Sequence, residues 1–505
     1  MAKVIEIMDT SLRDGEQTTG VSYSDSEKLN IAKVLLDEVR VDRLEVASAR
    51  VSEGEYKGVQ TITSWARKAG HINKIEVLGF VDGGKSLEWI QKAGGKVINL
   101  LTKGSLKHCK EQLRKTPEEH FADIIQTILL AEKMGIMVNI YLEDWSNGMR
   151  HSKEYVFSMI DALKNQPVKR YMLPDTLGIL NPDETFQFCH EVVSRYPGLH
   201  FDFHPHNDYD LAAGNVFMAV KAGIQGIHTT VNGLGERAGN VPLASVVAVL
   251  NDHFNAKLPV VESSLNKVSR LVESFSGIRI PVNKPIVGEY AYTQVAGIHA
   301  DGDKKNKLYY NDLHPERFGR QRKYALGKLS GKANIVQNLE ELGIELTEEE
   351  MKMVTERIIE LGDRKEYVTR EDLPYIIADV LQSNIVKEKV FIKNFSLSVA
   401  KGLRSVATLK LSIDCHEYEE SASGDGQYDA FMNALIKIYH GLNKHIPELL
   451  DYVVSIPPGG RTEALVEAMI TWRIDGKEVK TRGLDSDQNV AAIKATMRML
   501  NMIEK

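Results

Sequence analysis

Two histidines separated by a single residue, His204 and His206, are well suited to hold a metal ion. They follow the short run 199–203, in which apolar and polar residues alternate as in a β-strand. At the two-residue period of a strand both imidazoles point to the same side, so two neutral nitrogens can reach one divalent ion. The same pattern also arises by chance, with one histidine ending a strand and the other in a loop. The rest of the chain decides between these interpretations.

Other polar side chains also follow short apolar runs. They are Arg13 and Asp14, Glu143 and Asp144, Asp175 and Thr176, and the segment 232–240. Asp14 adds a carboxylate to the two imidazoles and Asn240 offers an amide oxygen, a set that suits Mg²⁺, Mn²⁺ or Zn²⁺. Such an incomplete shell leaves positions for a 2-oxo acid, whose ketone the ion would polarise. Arg13 could stabilise the charge that develops on the ketone oxygen, or could simply pair with Asp14 or Glu16.

The elements that must position these residues alternate between strand-like and helix-like runs. Strands are predicted at 4–8, 43–47, 75–80, 97–101, 137–142, 170–173, 199–204 and 226–230. Between them, Thr116-Pro117 and Asn181-Pro182 each have the capping residue and proline that begin a helix. Eight strand–helix units in about 250 residues predict an α/β fold, the (β/α)8 or TIM barrel, with function at the carboxyl ends of its strands. A doubly wound open sheet is the alternative, but no GxGxxG segment follows the first strand.

The composition excludes several classes of protein. Of 505 residues, 43% are hydrophobic and 26% are charged, and the formal net charge is −6. We therefore expect no nucleic acid partner, and no membrane partner because no apolar run approaches the roughly 18 residues that span a bilayer. Cys109, Cys189 and Cys415 are far apart and form no CxxC motif. The first residues show no signal-peptide pattern, so the cytoplasm is the expected location.

Three motifs resemble the signatures of the 2-isopropylmalate, homocitrate and citramalate synthase family. They are the segments 9–17 (DTSLRDGEQ), 204–208 (HPHND) and 232–240 (NGLGERAGN), and the resemblance covers essentially the whole chain. Pro205 is a departure, since relatives more often have glycine or alanine between the histidines, but proline fits an extended strand end. The resemblance implies a Claisen condensation. A base removes a methyl proton from acetyl-CoA, the enolate attacks a metal-bound ketone, and the thioester is hydrolysed.

The resemblance also implies roles for individual side chains. The metal ligands are Asp14, His204, His206 and Asn240; the catalytic residues are Arg13, Glu143 and His299; Arg13 and Thr176 contact the substrate; and Leu308 and Tyr309 contact acetyl-CoA. In the family, the segment with His299 comes from the partner subunit, so a homodimer with an active site completed across the interface is implied. Without the family match, His299 would be interpreted as a histidine of a surface loop.

The resemblance further divides the chain into three parts. They are a catalytic barrel at 1–275, a helical linker that completes the active site at 276–385, and an α+β allosteric domain at 386–505, with strands predicted at 390–398, 405–413 and 464–474. In such a domain an end-product amino acid, isoleucine or leucine, would bind near Asp429, Tyr452 and Thr462. The glycines around these residues could equally form simple turns.

The choice of 2-oxo acid depends on three residues expected near the ends of the third, fourth and fifth strands, Leu78, Leu101 and Tyr141. Together they predict a small apolar slot that suits the methyl group of pyruvate, and they resemble the corresponding residues of citramalate synthases. Citramalate synthesis is therefore expected, with 2-isopropylmalate synthesis from 2-oxoisovalerate as the alternative. A metal-dependent lyase of the hydroxymethylglutaryl type has no evident use for a sensing domain. A non-catalytic amino-acid sensor would not need the full set of catalytic residues.

Overall fold

Eight parallel strands close into a barrel in the computed structural model, which describes residues 4–254, 256, 258–363, 368–381, 389–455 and 466–504. The strands are β1 (Glu6–Asp9), β2 (Arg43–Ser48), β3 (Ile75–Phe80), β4 (Val97–Lys103), β5 (Met137–Glu143), β6 (Val168–Asp175), β7 (Phe201–Pro205) and β8 (Gly226–Thr229). Each strand pairs with the next along the chain, and β8 pairs with β1. The predicted barrel and its eight strands are confirmed.

Helices surround the barrel, and several of them begin directly after a capping residue. They are α1 (Asp25–Lys33), α2 (Glu53–Ala69), α3 (Lys85–Lys92), α4 (Pro117–Lys133), α5 (Trp145–His151), α6 (Lys153–Leu163), α7 (Pro182–Arg195), α8 (Ala212–Ala222), α9 (Leu243–Phe254) and α10 (Leu265–Ser276). Ser24, Thr116 and Asn181 each form a complete capping box with a glutamate three residues later. These caps satisfy backbone N–H groups that the first turn leaves without partners.

The strands present apolar residues to the helices, and many of the side chains in the barrel interior are polar. Arg43 Nη2 on β2 lies 2.6 Å from Asp202 Oδ2 on β7, and Asn99 Nδ2 on β4 donates to Glu45 Oε1 on β2 at 2.8 Å. Because these strands are not neighbours, the contacts must cross the interior. We call the interior polar set the polar column; it consists of Arg43, Glu45, Glu76, Asn99, Asn139, Asp202 and His228. The interior of a TIM barrel is more often filled by layers of branched apolar residues.

The chain divides into two compact units, Met1–Thr293 with Tyr310–Arg322, and Gln294–Tyr309 with Lys323–Lys505. Between the barrel and the C-terminal sheets lie β9 (Thr293–Gln294), α11 (Gly297–Lys304), β10 (Lys323–Tyr324), α12 (Lys332–Leu342), α13 (Glu348–Asp363) and α14 (Leu373–Leu381). Helices α12 to α14 share an apolar core that includes Ile335, Val354 and Leu373. The helical segment expected after the barrel is therefore present.

The C-terminal part is α+β, as predicted, and has two antiparallel sheets that share one apolar core with two helices. The elements are β11 (Val390–Ser398), β12 (Ser405–Ile413), β13 (His416–Gly424), α15 (Gln427–Gly441), β14 (Glu448–Ser455), β15 (Val466–Ile474), β16 (Lys477–Asp485) and α16 (Gln488–Ile503). Strands β13, β14 and β16 differ from the prediction because their sequences do not alternate clearly: β13 is mostly polar, β14 exposes apolar residues, and β16 buries polar ones. None of the described helices is both long and apolar enough to cross a membrane.

Candidate active site

Asp14, His204 and His206 converge at the carboxyl ends of β1 and β7. After β1 the chain turns tightly, with the N–H groups of Arg13, Asp14 and Gly15 all directed at the carbonyl of Thr10, which places Asp14 above the strand end. The Nε2 atoms of the two histidines lie 3.3 Å apart and 3.4 and 3.8 Å from Asp14 Oδ2. All three side chains are buried, and their ligand atoms lie within 4.8 Å of one another.

Asn240 supplies a fourth group at the same place. His206 and Asn240 form an isolated β-bridge, and Asn240 Nδ2 donates to Asp14 Oδ1 at 2.9 Å and to the Leu234 carbonyl at 3.1 Å. Its Oδ1 is buried and has no hydrogen-bond partner among the described residues. A buried carbonyl oxygen without a partner is costly, so this atom fits a ligand to a divalent ion. We call Asp14, His204, His206 and Asn240 the ligand cluster.

Gly235 allows the ligand cluster to form because no side chain fits at this position. Its φ is +152°, and a Cβ there would lie 2.2 Å from Asn240 Nδ2 and 3.0 Å from Asp14 Oδ1. Any larger residue would displace one of these two groups. A glycine is therefore required at position 235, in the loop after β8, because the backbone there passes close to the ligand cluster.

Burial and nearby charges keep the groups of the ligand cluster in the protonation states that bind metal. Burial alone would raise the pKa of Asp14, but Arg13 and the two histidines hold it well below its ordinary value. Burial lowers the pKa of His204, and it lowers that of His206 to about 4. At neutral pH the cluster therefore offers one carboxylate and two neutral imidazoles, as a divalent ion requires. The donor set fits Mg²⁺, Mn²⁺ or Zn²⁺ without distinguishing among them.

Arg13 lies beside the cluster with each of its three nitrogens engaged. Nη1 contacts Asp14 Oδ2 at 2.8 Å, Nε contacts Glu45 Oε2 at 2.6 Å, and Nη2 donates to the Tyr141 hydroxyl at 3.3 Å. Thr10 Oγ1 and Asn99 Nδ2 hold Glu45 in turn, at 2.7 and 2.8 Å. The guanidinium is thus oriented from two sides before any substrate binds, and the alternative of a pair with Asp14 alone is too simple.

The residues of the predicted apolar slot lie together next to Arg13. Leu78 and Tyr141 are buried and pack with Met8 and Met172, while Leu101 is half-buried against the same cluster. The Tyr141 ring lies edge-on to His204, with ring centroids 5.8 Å apart. These side chains therefore pack as one mainly apolar group, directly adjacent to one member of the ligand cluster.

Glu143 and Thr176 lie at the same end of the barrel as the ligand cluster, but they contact other residues. Glu143 ends β5 and pairs with Lys103 of β4, and Thr176 Oγ1 accepts from the Asp144 N–H at 2.9 Å. In the described part of the chain neither side chain hydrogen-bonds to a member of the ligand cluster. To act as predicted, Glu143 and Thr176 would have to contact a substrate that is bound at the ligand cluster.

The acetyl-CoA and base residues predicted beyond the barrel lie in the second unit. His299 is on α11, its Nδ1 lies 3.0 Å from Gln294 Oε1, and its ring lies over Tyr309 with centroids 4.2 Å apart. Tyr309 and Leu308 expose 40% and 66% of their surface. The structure thus brings together His299 and Tyr309, which the sequence treats separately.

Two of the three predicted effector residues line a cavity of about 520 Å³ between α15 and β14. Asp429 and Tyr452 both line it, along with Tyr428, His440 and Lys444. Thr462, the third predicted effector residue, lies outside the described residues.

The polar column contains site residues that local sequence patterns do not identify. Glu45, Asn99, Asp202 and His228 were passed over because each interrupts an otherwise apolar strand. A signal was available, because a polar residue recurs at an inward-facing position in strand after strand.

Comparison with known proteins agrees with this architecture. Residues 4–272 match the family model HMGL-like, 286–366 match the homocitrate synthase post-HMGL domain-like model, and 367–504 match the LeuA allosteric (dimerisation) domain. A protein of Methanopyrus kandleri named "probable 2-isopropylmalate synthase" is 34% identical over 99% of this chain and 98% of its own. The (R)-citramalate synthase of Methanocaldococcus jannaschii is 33% identical over 99% of each chain, and the 2-isopropylmalate synthase of Pyrococcus furiosus is 33% identical over 100% of each.

Proposed function

Because this chain belongs to the HMGL-like family, with 2-isopropylmalate and citramalate synthases as full-length relatives, we propose that it condenses acetyl-CoA with a 2-oxo acid. We propose pyruvate as that acid, so that acetyl-CoA, pyruvate and water give citramalate and free CoA. The observation that supports this choice is the close packing of Leu78, Leu101 and Tyr141 with Met8 and Met172 beside Arg13. A methyl group fits such a space, whereas an isopropyl group needs more room.

Each resident group has a defined task in this reaction. The ligand cluster would hold a divalent ion, which when bound supplies Lewis-acid polarisation of the ketone. Arg13 lies beside it and would stabilise the negative charge that develops on the ketone oxygen. Because Asp14 and Glu45 fix the guanidinium in advance, little reorganisation is needed when the charge forms.

Proton removal from the methyl group of acetyl-CoA needs a base that titrates near neutral pH. We assign His299 to this machinery, donated by the partner subunit, with Leu308 and Tyr309 against acetyl-CoA and with Glu143 and Thr176 as polar contacts on the barrel side. The match of residues 367–504 to an allosteric (dimerisation) domain supports a homodimer. The three successive matches support a division into three parts, for which we propose a catalytic part at 1–275, a linker at 276–385 and a regulatory part at 386–505, although the allosteric-domain match begins earlier, at 367.

The cavity beside Asp429 and Tyr452 is the proposed effector site. Its two tyrosines, the carboxylates of Asp429 and Glu448 and the ammonium group of Lys444 suit a zwitterionic amino acid with an apolar side chain. Isoleucine is the expected effector if pyruvate is the substrate, and leucine if 2-oxoisovalerate is.

The second candidate function is 2-isopropylmalate synthesis, which full-length relatives of that name support. A lyase of the hydroxymethylglutaryl type is less well supported, because the match to an allosteric domain has no evident place in it. A non-catalytic sensor is opposed by the preserved ligand cluster and the oriented Arg13.

The test is the release of free CoA thiol from acetyl-CoA, with Mg²⁺ or Mn²⁺ and with pyruvate or 2-oxoisovalerate in parallel reactions. Each reaction is run with and without isoleucine and leucine. Preference for pyruvate supports the proposal, whereas preference for 2-oxoisovalerate establishes the second candidate. Failure of both acids to release CoA would overturn the synthase function. Sedimentation of the full chain tests the homodimer.

A further inference from the structure

A buried line of hydrogen bonds runs behind the apolar slot, across β5, β8 and β7. The Tyr141 hydroxyl lies 3.0 Å from His228 Nδ1, and His228 Nε2 lies 3.0 Å from Asp202 Oδ2. Arg43 Nη2 donates to the same carboxylate oxygen at 2.6 Å. Tyr141, His228 and Asp202 are each no more than 2% exposed. The apolar walls of the slot do not depend on any of these hydrogen bonds.

The direction of each bond in this line is determined from its Asp202 end. Arg43 Nη2 can only donate, and it lies 2.6 Å from Asp202 Oδ2 in a buried charge-assisted pair. Asp202 is therefore a carboxylate that can only accept hydrogen bonds, so His228 Nε2 must carry a hydrogen. With Nε2 donating to Asp202, Nδ1 of the uncharged imidazole carries no hydrogen and faces the Tyr141 hydroxyl at 3.0 Å.

The tautomer of His228 then decides the orientation of the Tyr141 hydroxyl. Because Nδ1 is an acceptor, the Tyr141 O–H must donate to it, and the oxygen lone pairs are left facing Arg13. Arg13 Nη2 can only donate, so its 3.3 Å contact with the hydroxyl uses those lone pairs. Edge-on packing of Tyr141 on His228, with ring centroids 5.5 Å apart, restricts other arrangements.

The opposite tautomer would present two donors to one hydroxyl. His228 Nδ1–H and Arg13 Nη2–H would then both point at the Tyr141 oxygen, and the phenolic hydrogen would turn towards the apolar slot. A hydrogen-bond donor without a partner among Leu78, Met8 and Met172 would be costly and would compete for the substrate ketone.

We infer that His228, held by Asp202, is a positioning residue that fixes the Tyr141 hydroxyl as an acceptor for Arg13, and so completes the orientation of the guanidinium in the substrate site. This inference rests on the proposed function, because it assigns a purpose to Arg13 and Tyr141 in binding a 2-oxo acid. His228 itself contacts neither substrate nor the reacting atoms.

Two isosteric substitutions of His228 separate the two ends of its ring. In H228N the amide oxygen can take the place of Nδ1 and keep an acceptor for Tyr141, but the contact with Asp202 is lost. In H228Q the amide nitrogen can take the place of Nε2 and keep the donor to Asp202, but Tyr141 loses its acceptor. We expect kcat/KM for pyruvate to fall about tenfold in H228Q and less than about threefold in H228N. The reverse order, or equal losses, would overturn the inference.

A double-mutant cycle with Y141F tests whether His228 acts through the hydroxyl. If it does, Y141F alone and Y141F/H228Q should have kcat/KM values within about twofold of each other, because the hydroxyl that His228 orients is already gone. Multiplicative losses, about a hundredfold in the double variant, would show that His228 acts independently of Tyr141 and would contradict the inference. Unchanged activity in Y141F would do the same.

A spectroscopic measurement tests the tautomer without any reliance on activity. In ¹⁵N spectra of the full-length protein labelled at histidine, the signals lost in H228N belong to His228. They should show a protonated Nε2 and an unprotonated Nδ1. A protonated Nδ1 would overturn the inference even if CoA release is normal. Absence of CoA release with a correct tautomer would overturn the proposed function instead.

Discussion

Arg13 Nε lies 2.6 Å from Glu45 Oε2, which joins the turn after β1 to the neighbouring strand β2 inside the barrel. Glu45 is fully buried and receives hydrogen bonds from Thr10 and Asn99 as well. Burial would raise the pKa of Glu45, but Arg13 and these bonds lower it below its ordinary value. The pair is therefore ionised at neutral pH, and its geometry sets the plane of the guanidinium.

Glu45→Gln should lower kcat/KM about 10–100-fold, because Arg13 loses the charge that holds Nε and can turn towards Asp14. The free energy of unfolding should fall by about 3–5 kcal/mol, since a buried cation is left partly unpaired. Steady-state kinetics and urea unfolding measure the two effects. Glu76→Gln is the control, because Glu76 pairs with Arg43 deeper in the polar column. The role of Glu45 would be contradicted if Glu45→Gln lowered stability but lowered kcat/KM no more than Glu76→Gln does.

Asp14→Asn should lower the affinity for Mn²⁺ by more than the roughly 10–100-fold that loss of a supporting residue costs. Chelation of the wild type should abolish CoA release, and added Mg²⁺ or Mn²⁺ should restore it. Titration with Mn²⁺ and metal analysis of the purified protein measure the change. His200→Gln at the opposite end of β7 is the control and should keep its metal affinity. CoA release that survives complete metal removal would refute the ligand cluster.

Leu78→Ala or Tyr141→Ala should raise the ratio of kcat/KM for 2-oxoisovalerate to that for pyruvate about tenfold or more, because each enlarges the apolar slot. The assay is CoA release with the two acids in parallel. Leu100→Ala is the matched control, since Leu100 is buried on the helix side of β4 and not in the slot. That substitution should lower stability and leave the ratio unchanged. If the slot variants also leave it unchanged, these residues do not line the substrate site.

His120 should make the fold sensitive to acid. Its Nε2 accepts from the Lys103 N–H at 3.1 Å, and burial lowers the pKa of His120 to about 4. In the unfolded chain histidine titrates near 6.5, so as pH falls below that value the unfolded state binds a proton that the native state does not. Stability is therefore lost between about pH 6.5 and 4, by about 2–3 kcal/mol between pH 7 and 4.5.

His120→Gln keeps an acceptor but does not titrate, so its stability should depend less on pH over this range. Urea unfolding at a series of pH values compares the two proteins. His151→Gln, at an exposed position, should follow the wild type. Parallel curves for the wild type and His120→Gln would show that His120 does not contribute to acid lability.

The barrel and the ligand cluster could both be predicted from the sequence, for one physical reason. Functional side chains of a TIM barrel sit at strand ends, so Asp14, His204 and His206 appear next to apolar runs that are easy to find. Glu45 and His228 could not be found in this way because they lie inside strands, and their partners Arg13 and Tyr141 come from distant parts of the sequence. Which partners meet depends on how far each strand is staggered in the closed barrel, and local pattern does not contain this information.

The polar column also bears on how the eight strands align during folding. A strand that slips by two residues keeps its apolar side towards the helices, so the hydrophobic effect alone discriminates poorly against that error. Such a slip would, however, separate Arg43 from Asp202 and Glu45 from Asn99, and would bury charges without partners. Misaligned closure is therefore penalised by electrostatics, and the interior that serves the active site also selects the single register in which the barrel can close.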